Sequence, residues 1–481
     1  MMFFLHLIGL FLLGIANLSN ASASATTTGF LSTPSGTLRV PKGASCACAK
    51  LFRSMPRSVI GPGSANYTTQ TVDNYWDIRA DLSPACVFVP NTAAEVSQAV
   101  KIIAACNAQF AVRGGGHMNY PGSNNIDAGV LIALSNMNYI NVKNNTVEVY
   151  SALEPHGRVC IGGRMKTIGV PGLSLIGGFH YFNNKYGYAM DNVVAYDVVL
   201  GNGTQINVNK TSNGDLFWAL KGGANNFGIV TRFELKTYAV PEISTTIQVF
   251  NETNLPRYLA AVCEAAKLDN EDPIAAGMIS TITYNATTKV AQGSVLGVQE
   301  GVSKPPSQFA NFTKIPAAER IHNVTTMKPW AEALDSPKQM MRAWKTAVDN
   351  IADVQGLYPT FVTNVISPNS IRVAKTNGVG NVWGLEEEPL IIWQFSTGWD
   401  LAQDDIRMEA WSRQLVEHLH SINKDLGLAS EFIYMGDAGE WQDPYAGFPV
   451  ENVARMRKIR SSYDPAGVFS TLSWGGFKLG L

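Results

Sequence analysis

The sequence has few charged residues and almost no net charge. Asp, Glu, Lys and Arg make up 16% of its 481 residues, and the formal net charge at pH 7 is −1. Proteins that bind nucleic acid or another polyanion carry a basic excess, so this composition argues against such a partner. The apolar fraction of 46% is typical of a globular protein. The length exceeds what one ordinary core accommodates, which predicts two domains.

Long hydrophobic runs are missing after the first residues. Residues 3–15 form an apolar run that is too short to span a bilayer comfortably, and small residues at 21–25 fit a cleavage site. Lys and Arg are absent ahead of this run. We expect residues 1–23 to be a signal peptide, and the mature protein to be secreted without a membrane attachment.

Cysteine is also scarce, with six residues in the whole chain. A secreted protein favours one or two disulfides among them. Cys46 and Cys48 are too close to pair with each other, so we expect one of them to bond Cys86 or Cys106. Zinc is the alternative for a Cys-x-Cys pair, but no His lies at a supporting spacing, and we predict no metal site.

Potential glycosylation sites, in contrast, are numerous. Eight Asn-x-Ser/Thr triplets begin at Asn66, Asn144, Asn202, Asn209, Asn251, Asn285, Asn311 and Asn323. Together with a signal peptide, they predict a secreted glycoprotein.

A glycine loop is the most informative short stretch. Residues 113–117 read Arg-Gly-Gly-Gly-His and follow a predicted strand at 110–112. That strand ends a β-α-β unit whose helix begins with Thr92 and Glu95, a capping-box pattern. Consecutive glycines bring backbone N–H groups close to a ligand, the Arg113 guanidinium suits phosphate oxygens, and His117 supplies a reactive ring nitrogen. The alternative is a glycine-rich surface turn. The spacing excludes the ordinary dinucleotide-binding fingerprint.

Four further motifs stand before and after this loop, and the order of all five along the chain is informative. They are Pro-Ala-Cys at 84–86, Gly-Tyr-Ala-Met-Asp-Asn at 187–192, residues 215–231 and Tyr-Asp-Pro-Ala-Gly-Val-Phe at 463–469. With residues 113–117 they resemble the FAD-linked oxidases of the vanillyl-alcohol oxidase/PCMH superfamily. The similarity is to the berberine-bridge-enzyme-like branch, common among secreted fungal proteins, and it covers roughly residues 48–478.

The resemblance implies an α+β fold with two domains. A PCMH-type FAD-binding domain would comprise residues 40–240, and residues 446–481 would return to it. Residues 241–445 would form a substrate domain with an antiparallel sheet backed by helices. FAD would be bound covalently through His117, and the residues expected along it are Arg113, Gly114, Gly115, Gly116, Gly169, Gly172, Gly177, Gly178, Asn192, Gly228, Ile229 and Val230.

Three departures from the family pattern bear on the chemistry. Residues 164–167 stand where some relatives attach the flavin a second time through Cys, so we expect a single link. His180 replaces a common Ser, after Ile176 has replaced the first of three glycines. Asp437 stands where relatives carry the Tyr proposed as catalytic base.

Asp437 is therefore our first candidate for the base, because an apolar pocket raises a carboxyl pKa toward neutrality. His180 is the second candidate, and Tyr434 and Tyr445 are weaker ones. A loop-capping role is the alternative for Asp437, and a place in the pocket wall is the alternative for His180.

The expected activity is hydride transfer from a small organic substrate (a sugar, an alcohol or a secondary metabolite) to the flavin, with O₂ as acceptor. Gly163 lies near where relatives control oxygen access, which favours an oxidase. We expect a monomer. The alternatives are a dehydrogenase with another acceptor, a flavin protein that has lost catalysis, and a carbohydrate-binding glycoprotein without cofactor.

Overall fold

A computed structural model describes residues 40–141, 146–147, 153, 156–165, 167–267, 274–303, 307–325, 338–376 and 378–480. Its helices are Lys42–Ser54, Ala65–Thr68, Ala93–Ala105, Val170–Ile176, Asn183–Tyr186, Gly214–Ala219, Leu255–Ala266, Ala310–Thr313, Lys338–Asp349, Pro368–Thr376, Asp405–Asp425 and Val450–Tyr463. The predicted signal peptide lies outside the described residues.

The first sheet contains the β-α-β unit predicted from the sequence. Its strands are β1 Val59–Ile60, β2 Cys86–Phe88, β3 Phe110–Arg113 and β4 Val130–Ala133, in the order β1-β2-β4-β3. β4 runs parallel to both β2 and β3. The Thr92 hydroxyl caps the intervening helix by accepting the Glu95 N–H at 3.2 Å, and the Glu95 carboxylate accepts the Asn91 N–H at 2.7 Å.

Two disulfides attach the first long helix to this unit. Cys46 bonds Cys106, and Cys48 bonds Cys86. The expectation that one of Cys46 and Cys48 pairs with Cys86 or Cys106 is thus confirmed, and both of them do. Cys160 and Cys263 take part in neither disulfide.

The second sheet is antiparallel and contains a mostly buried strand that directly follows the motif at residues 187–192. It consists of β5 Thr146–Val147, β7 Val193–Val199, β8 Gln205–Asn209 and β9 Ile229–Lys236, in the order β5-β9-β7-β8. β6 Arg158–Val159 and β10 Tyr238–Ala239 form a separate pair. The turn between β7 and β8 exposes Asn202.

The glycine-rich stretch after residue 161 contains a helix that the sequence analysis did not predict. Helix Val170–Ile176 begins after Gly169, and Pro171 lies in its first turn. Proline favours that position because its φ is already helical and its missing N–H has no intrahelical partner there. The burial of Leu173 and Ser174 anchors the helix despite the surrounding glycines.

The third sheet has six antiparallel strands. These are β11 Ile243–Asn251, β12 Ala276–Asn285, β13 Val290–Glu300, β14 Glu319–Thr325, β15 Thr360–Ile366 and β16 Leu390–Phe395, in the order β14-β11-β13-β12-β15-β16. Side chains from three long helices join one face of the sheet in a common core, including Tyr258, Trp344 and Leu415. The opposite face carries Asn364 and Gln394, because side chains alternate along a strand. The α+β class and an antiparallel sheet backed by helices are confirmed.

The last residues pack against the first sheet. Phe469 contacts Phe110 edge to face at 6.1 Å, and the Trp474 N–H donates to the Phe110 carbonyl at 2.6 Å. The Tyr445 hydroxyl accepts a hydrogen bond from Asn226 at 2.7 Å. Residues 469 and 474 therefore pack against β3, the strand that leads into the glycine loop.

Among the described residues, no helix combines the length and apolar composition needed to cross a bilayer. The same residues bring no three His, Cys, Asp or Glu side chains into a metal-binding group.

Candidate functional site

The glycine loop turns sharply at the end of β3. Gly116 has φ +70°, and a Cβ there would overlap the Asn74 carbonyl oxygen. The Gly116 carbonyl in turn accepts the Trp76 N–H at 2.9 Å. Both the left-handed backbone and this close approach require glycine. The loop is thereby held against residues 74–76.

Gly115 contacts the backbone of the second glycine-rich stretch. A Cβ on Gly115 would overlap the Gly169 nitrogen, and Gly114 lies against Pro171. Within the described part of the chain, the N–H groups of Gly115, Gly116 and His117 donate to no acceptor. Consecutive unpaired N–H groups in a turn form a concave anion site, so the loop fits the pyrophosphate of a dinucleotide.

The Arg113 side chain contacts a segment that precedes the loop in sequence. It is buried, its two terminal nitrogens donate to the carbonyl and side-chain oxygens of Gln70, and its guanidinium lies 5.3 Å from the Tyr75 ring centre. Two of the five guanidinium N–H donors are thus bonded to Gln70. In this structure Arg113 holds the segment around residue 70 against the loop.

His117 lies at the end of the loop, beside an exposed aromatic ring. Its Nδ1 is 3.0 Å from the Thr167 hydroxyl, and its ring centre is 5.0 Å from that of Trp76. Burial lowers the pKa of His117 to about 4. The imidazole is therefore neutral at physiological pH, and a neutral imidazole has the lone pair that nucleophilic attachment requires.

Asn192 is buried and bonded within the protein. Its amide nitrogen donates to the carbonyls of Tyr186 and Tyr188, each at 2.8 Å, and its oxygen accepts the Tyr238 hydroxyl at 2.5 Å. These contacts stabilise the turn that leads into β7.

The remaining predicted cofactor residues occupy three places. Gly172 is exposed with open space at its Cβ position, whereas Gly177 and Gly178 turn beneath Trp383 and Leu173. Gly228 packs on β7, and Ile229 and Val230 are buried at the start of β9. Gly163 lies against Ile168.

A second cluster surrounds Asp437. The Asn364 amide donates to Asp437 Oδ2 at 2.9 Å. With its amide oriented to satisfy its neighbours, Gln394 donates to Asp437 Oδ1 at 2.6 Å and to Oδ2 at 3.0 Å. Burial raises the pKa of Asp437 to about 6, while Arg164 and the Asn364 hydrogen bond act in the opposite direction. The carboxyl group is thus able to exchange a proton near neutral pH.

Two residues that are close in sequence contact the two clusters. Thr167 contacts His117, and Arg164 Nη2 donates to Asn364 Oδ1 at 2.7 Å. The structure therefore connects the glycine loop and Asp437 through a short segment.

His180 is buried near Arg164, and burial together with that cation lowers its pKa to about 3. The Nδ1 atom accepts the Phe182 N–H at 3.1 Å, so the neutral ring carries its proton on Nε2. This tautomer can donate a hydrogen bond but has no free lone pair for a substrate proton. The structure thus disfavours His180 as the base.

The two tyrosine candidates are also buried. Burial raises the pKa of Tyr434, whose ring packs edge to face on Phe179 at 4.7 Å. Burial likewise raises the pKa of Tyr445, whose hydroxyl bonds Asn226 and the carbonyls of Gly223 and Phe477. Neither phenol ionises near neutral pH, and Tyr445 serves the packing of the C-terminal residues.

Sequence reasoning missed the roles of Asn364 and Gln394 beside Asp437. Each lies on the sheet face opposite the three helices. The positions two residues away on that face are apolar, such as Ile366 in β15 and Ile392 in β16. An isolated polar residue in such a pattern is the available signal, because a buried amide requires a partner.

A scan against protein families matches residues 84–209 to a family described as "FAD binding domain". The FAD-dependent monooxygenase prx3 of Penicillium roqueforti is 32% identical, covering 90% of this chain and 93% of that protein. Two solved structures share the fold. Glucooligosaccharide oxidase from Acremonium strictum is 17% identical over 91% of this chain and 98% of its own, with a TM-score of 0.69. Wild-type Physcomitrella patens BBE-like 1 is 16% identical over 88% of this chain and 97% of its own, with a TM-score of 0.70.

Proposed function

Because the chain belongs to the FAD-linked oxidoreductases of the vanillyl-alcohol oxidase/PCMH superfamily, in the berberine-bridge-enzyme-like branch, we propose that it is a secreted oxidase of small organic molecules. The observation that carries this proposal is the pair Arg164 and Thr167, of which Thr167 contacts His117 and Arg164 reaches the cluster around Asp437. These contacts support the proposal that His117 and Asp437 serve one site.

His117 is the attachment point that we assign to FAD, and the N–H groups of residues 115–117 are its pyrophosphate donors. When bound, FAD supplies a two-electron acceptor. The solved oxidase from Acremonium strictum carries 6-S-cysteinyl and 8α-N1-histidyl links. A single link is proposed for this chain because Cys160 is buried, which raises the pKa of its thiol and keeps it protonated.

Asp437 is the proposed proton acceptor. Oxidation of an alcohol or amine removes a proton as well as a hydride, so a base must stand beside the substrate. Two amides hold the carboxylate in place, and its raised pKa suits proton transfer near neutrality. His180 is assigned a hydrogen-bond donor role through Nε2, because its other ring nitrogen is occupied.

Secretion and glycosylation are part of the proposal. Of the seven sequon asparagines in the described residues, all but the half-buried Asn209 are exposed. Asn144 lies outside them. Protein recovered from the medium of a eukaryotic host should lose mass on endoglycosidase treatment, and an unchanged mass would contradict glycosylation.

The activity is tested with purified protein and a panel of sugars, oligosaccharides, alcohols and secondary metabolites. Anaerobic bleaching of the flavin absorbance detects substrate oxidation, and one H₂O₂ released per product in air identifies an oxidase. Bleaching without peroxide would indicate another acceptor. A yellow protein that no compound bleaches would support the catalytically inactive alternative.

A further inference from the structure

We propose that Asn364 is a positioning residue that holds the Arg164 guanidinium one amide away from the Asp437 carboxylate, so that the two do not form an ion pair. The inference concerns the proton affinity of Asp437 and rests on its proposed role as proton acceptor.

The amide of Asn364 lies between the two charged groups. Its oxygen accepts Arg164 Nη2 at 2.7 Å, and its nitrogen donates to Asp437 Oδ2 at 2.9 Å. The partners fix the orientation of the amide, because a guanidinium can only donate and a carboxylate can only accept. Asn364 is 2% exposed and lies in β15, so the sheet fixes its position.

Arg164 and Asp437 are charged neighbours without a direct contact. Among the described residues, no carboxylate lies within ion-pair distance of Arg164. Elsewhere in the protein the direct arrangement does occur, since Arg232 binds both oxygens of Asp197 at 2.6 and 3.1 Å. An arginine in direct contact lowers the pKa of a carboxyl group by about one to three units. Such a contact would remove the ability of Asp437 to take a proton near neutral pH.

The hydrogen bonds also distinguish the two oxygens of Asp437. Oδ2 accepts from both Asn364 and Gln394, whereas Oδ1 accepts from Gln394 alone. Each carboxylate oxygen has two lone-pair sites. We therefore assign Oδ1 as the atom that receives the substrate proton.

Arg164 is the charged group that acts on Asp437, and Tyr434 is the other titratable neighbour. Tyr434 stays protonated because burial raises its pKa, and His180, which faces Arg164, stays neutral because its pKa is lowered to about 3. Asn364 and Gln394 carry no charge. A pH-dependent change between pH 4 and 8 at this cluster therefore reports Asp437.

The test measures the pKa of Asp437 without a substrate. Thermal unfolding of the flavin-containing protein and of Asp437→Asn is compared from pH 4 to 8. Burial raises the folded-state pKa above the unfolded one, so ionisation costs stability as the pH rises through about 6. The variant should become more stable relative to the parent as pH rises toward 6, with no further gain above it.

Two substitutions at Asn364 should shift this transition in opposite directions. Asn364→Ala removes the barrier and lets Arg164 reach Asp437, so the transition should move about one pH unit or more below that of the parent. Asn364→Leu keeps the volume but removes both hydrogen bonds, so the transition should move upward. Each is compared with its own Asp437→Asn companion.

The double variant Asn364→Ala/Arg164→Met provides the matched control, because it cannot form the ion pair and should not show the downward shift. An upward or absent shift in Asn364→Ala would overturn the proposal. If that variant does not fold, Asn364→Ser is measured instead, with the same expectation. Because unfolding needs no substrate, the result is independent of whether Asp437→Asn abolishes catalysis.

Discussion

The glycine loop and the Asp437 cluster are built in different ways. The loop uses the backbone N–H groups of three consecutive residues, held by close contacts at Gly115 and Gly116. The cluster uses side chains from four separate parts of the chain, namely Arg164, Asn364, Gln394 and Asp437. A side chain at Gly115 or Gly116 would overlap neighbouring backbone atoms, so the loop does not accept substitution there. In the Asp437 cluster, in contrast, replacing one charged or amide side chain changes the proton affinity of the carboxyl group.

The largest expected effect of a substitution in either region is the loss of flavin on replacing His117. His117→Ala removes the proposed covalent attachment, so flavin should leave the protein completely on acid precipitation. The measurement is the colour of the pellet and of the supernatant. His418→Ala, which alters an exposed histidine on helix Asp405–Asp425, should keep a yellow pellet. Colour retained in the His117→Ala pellet would place the linkage elsewhere.

Replacing Asp437 should leave the flavin attached and slow its reduction. Asp437→Asn preserves the shape of the side chain but removes the base, and loss of general base catalysis lowers rates by about 10²–10⁴-fold. Stopped-flow bleaching under anaerobic conditions gives the rate for a substrate found in the panel. Asp425→Asn, an exposed change, is the control. Equal rates in both variants would remove Asp437 from the mechanism.

One glycine of the loop and one of the neighbouring helix Val170–Ile176 should change stability with opposite signs. Gly115→Ala forces a methyl group onto the Gly169 backbone and should lower the free energy of unfolding by about 1–3 kcal/mol. Gly172→Ala places a methyl group in open space within a helix and should raise it by up to about 1 kcal/mol. Denaturant unfolding measures both, and equal effects would contradict the described packing.

The smallest expected difference between the two regions is in how the flavin reduction rate and flavin retention depend on pH. Asp437 must be ionised to accept a proton, so the reduction rate should fall about tenfold per pH unit below about 6. Flavin retention should stay constant from pH 5 to 8, because the proposed attachment to His117 is a covalent bond that does not depend on pH in this range. A reduction rate independent of pH over this range would argue against a carboxylate base.

The same contrast explains what the sequence could reveal. The loop is contiguous, so residues 113–117 predict a backbone anion site, and the β-α-β unit around it follows from the Thr92 cap and local periodicity. The contacts of Arg113 with Gln70 could not be predicted, because they depend on the position of a segment 43 residues earlier in the chain. Asn364 and Gln394 meet Asp437 through the register of β15 and β16, which no local pattern specifies. Helix Val170–Ile176 was not predicted because glycines are frequent in this stretch and disfavour a helix, although Pro171 is suited to a first turn.

The hydrogen bond from Trp474 to Phe110 has a consequence for biosynthesis. Phe110 begins the strand that leads into the glycine loop, and its carbonyl is satisfied by a residue close to the C-terminus. Residue 474 must therefore be synthesised before that strand acquires this neighbour. The proposed covalent attachment of FAD to His117 is then expected only after residue 474 has been synthesised.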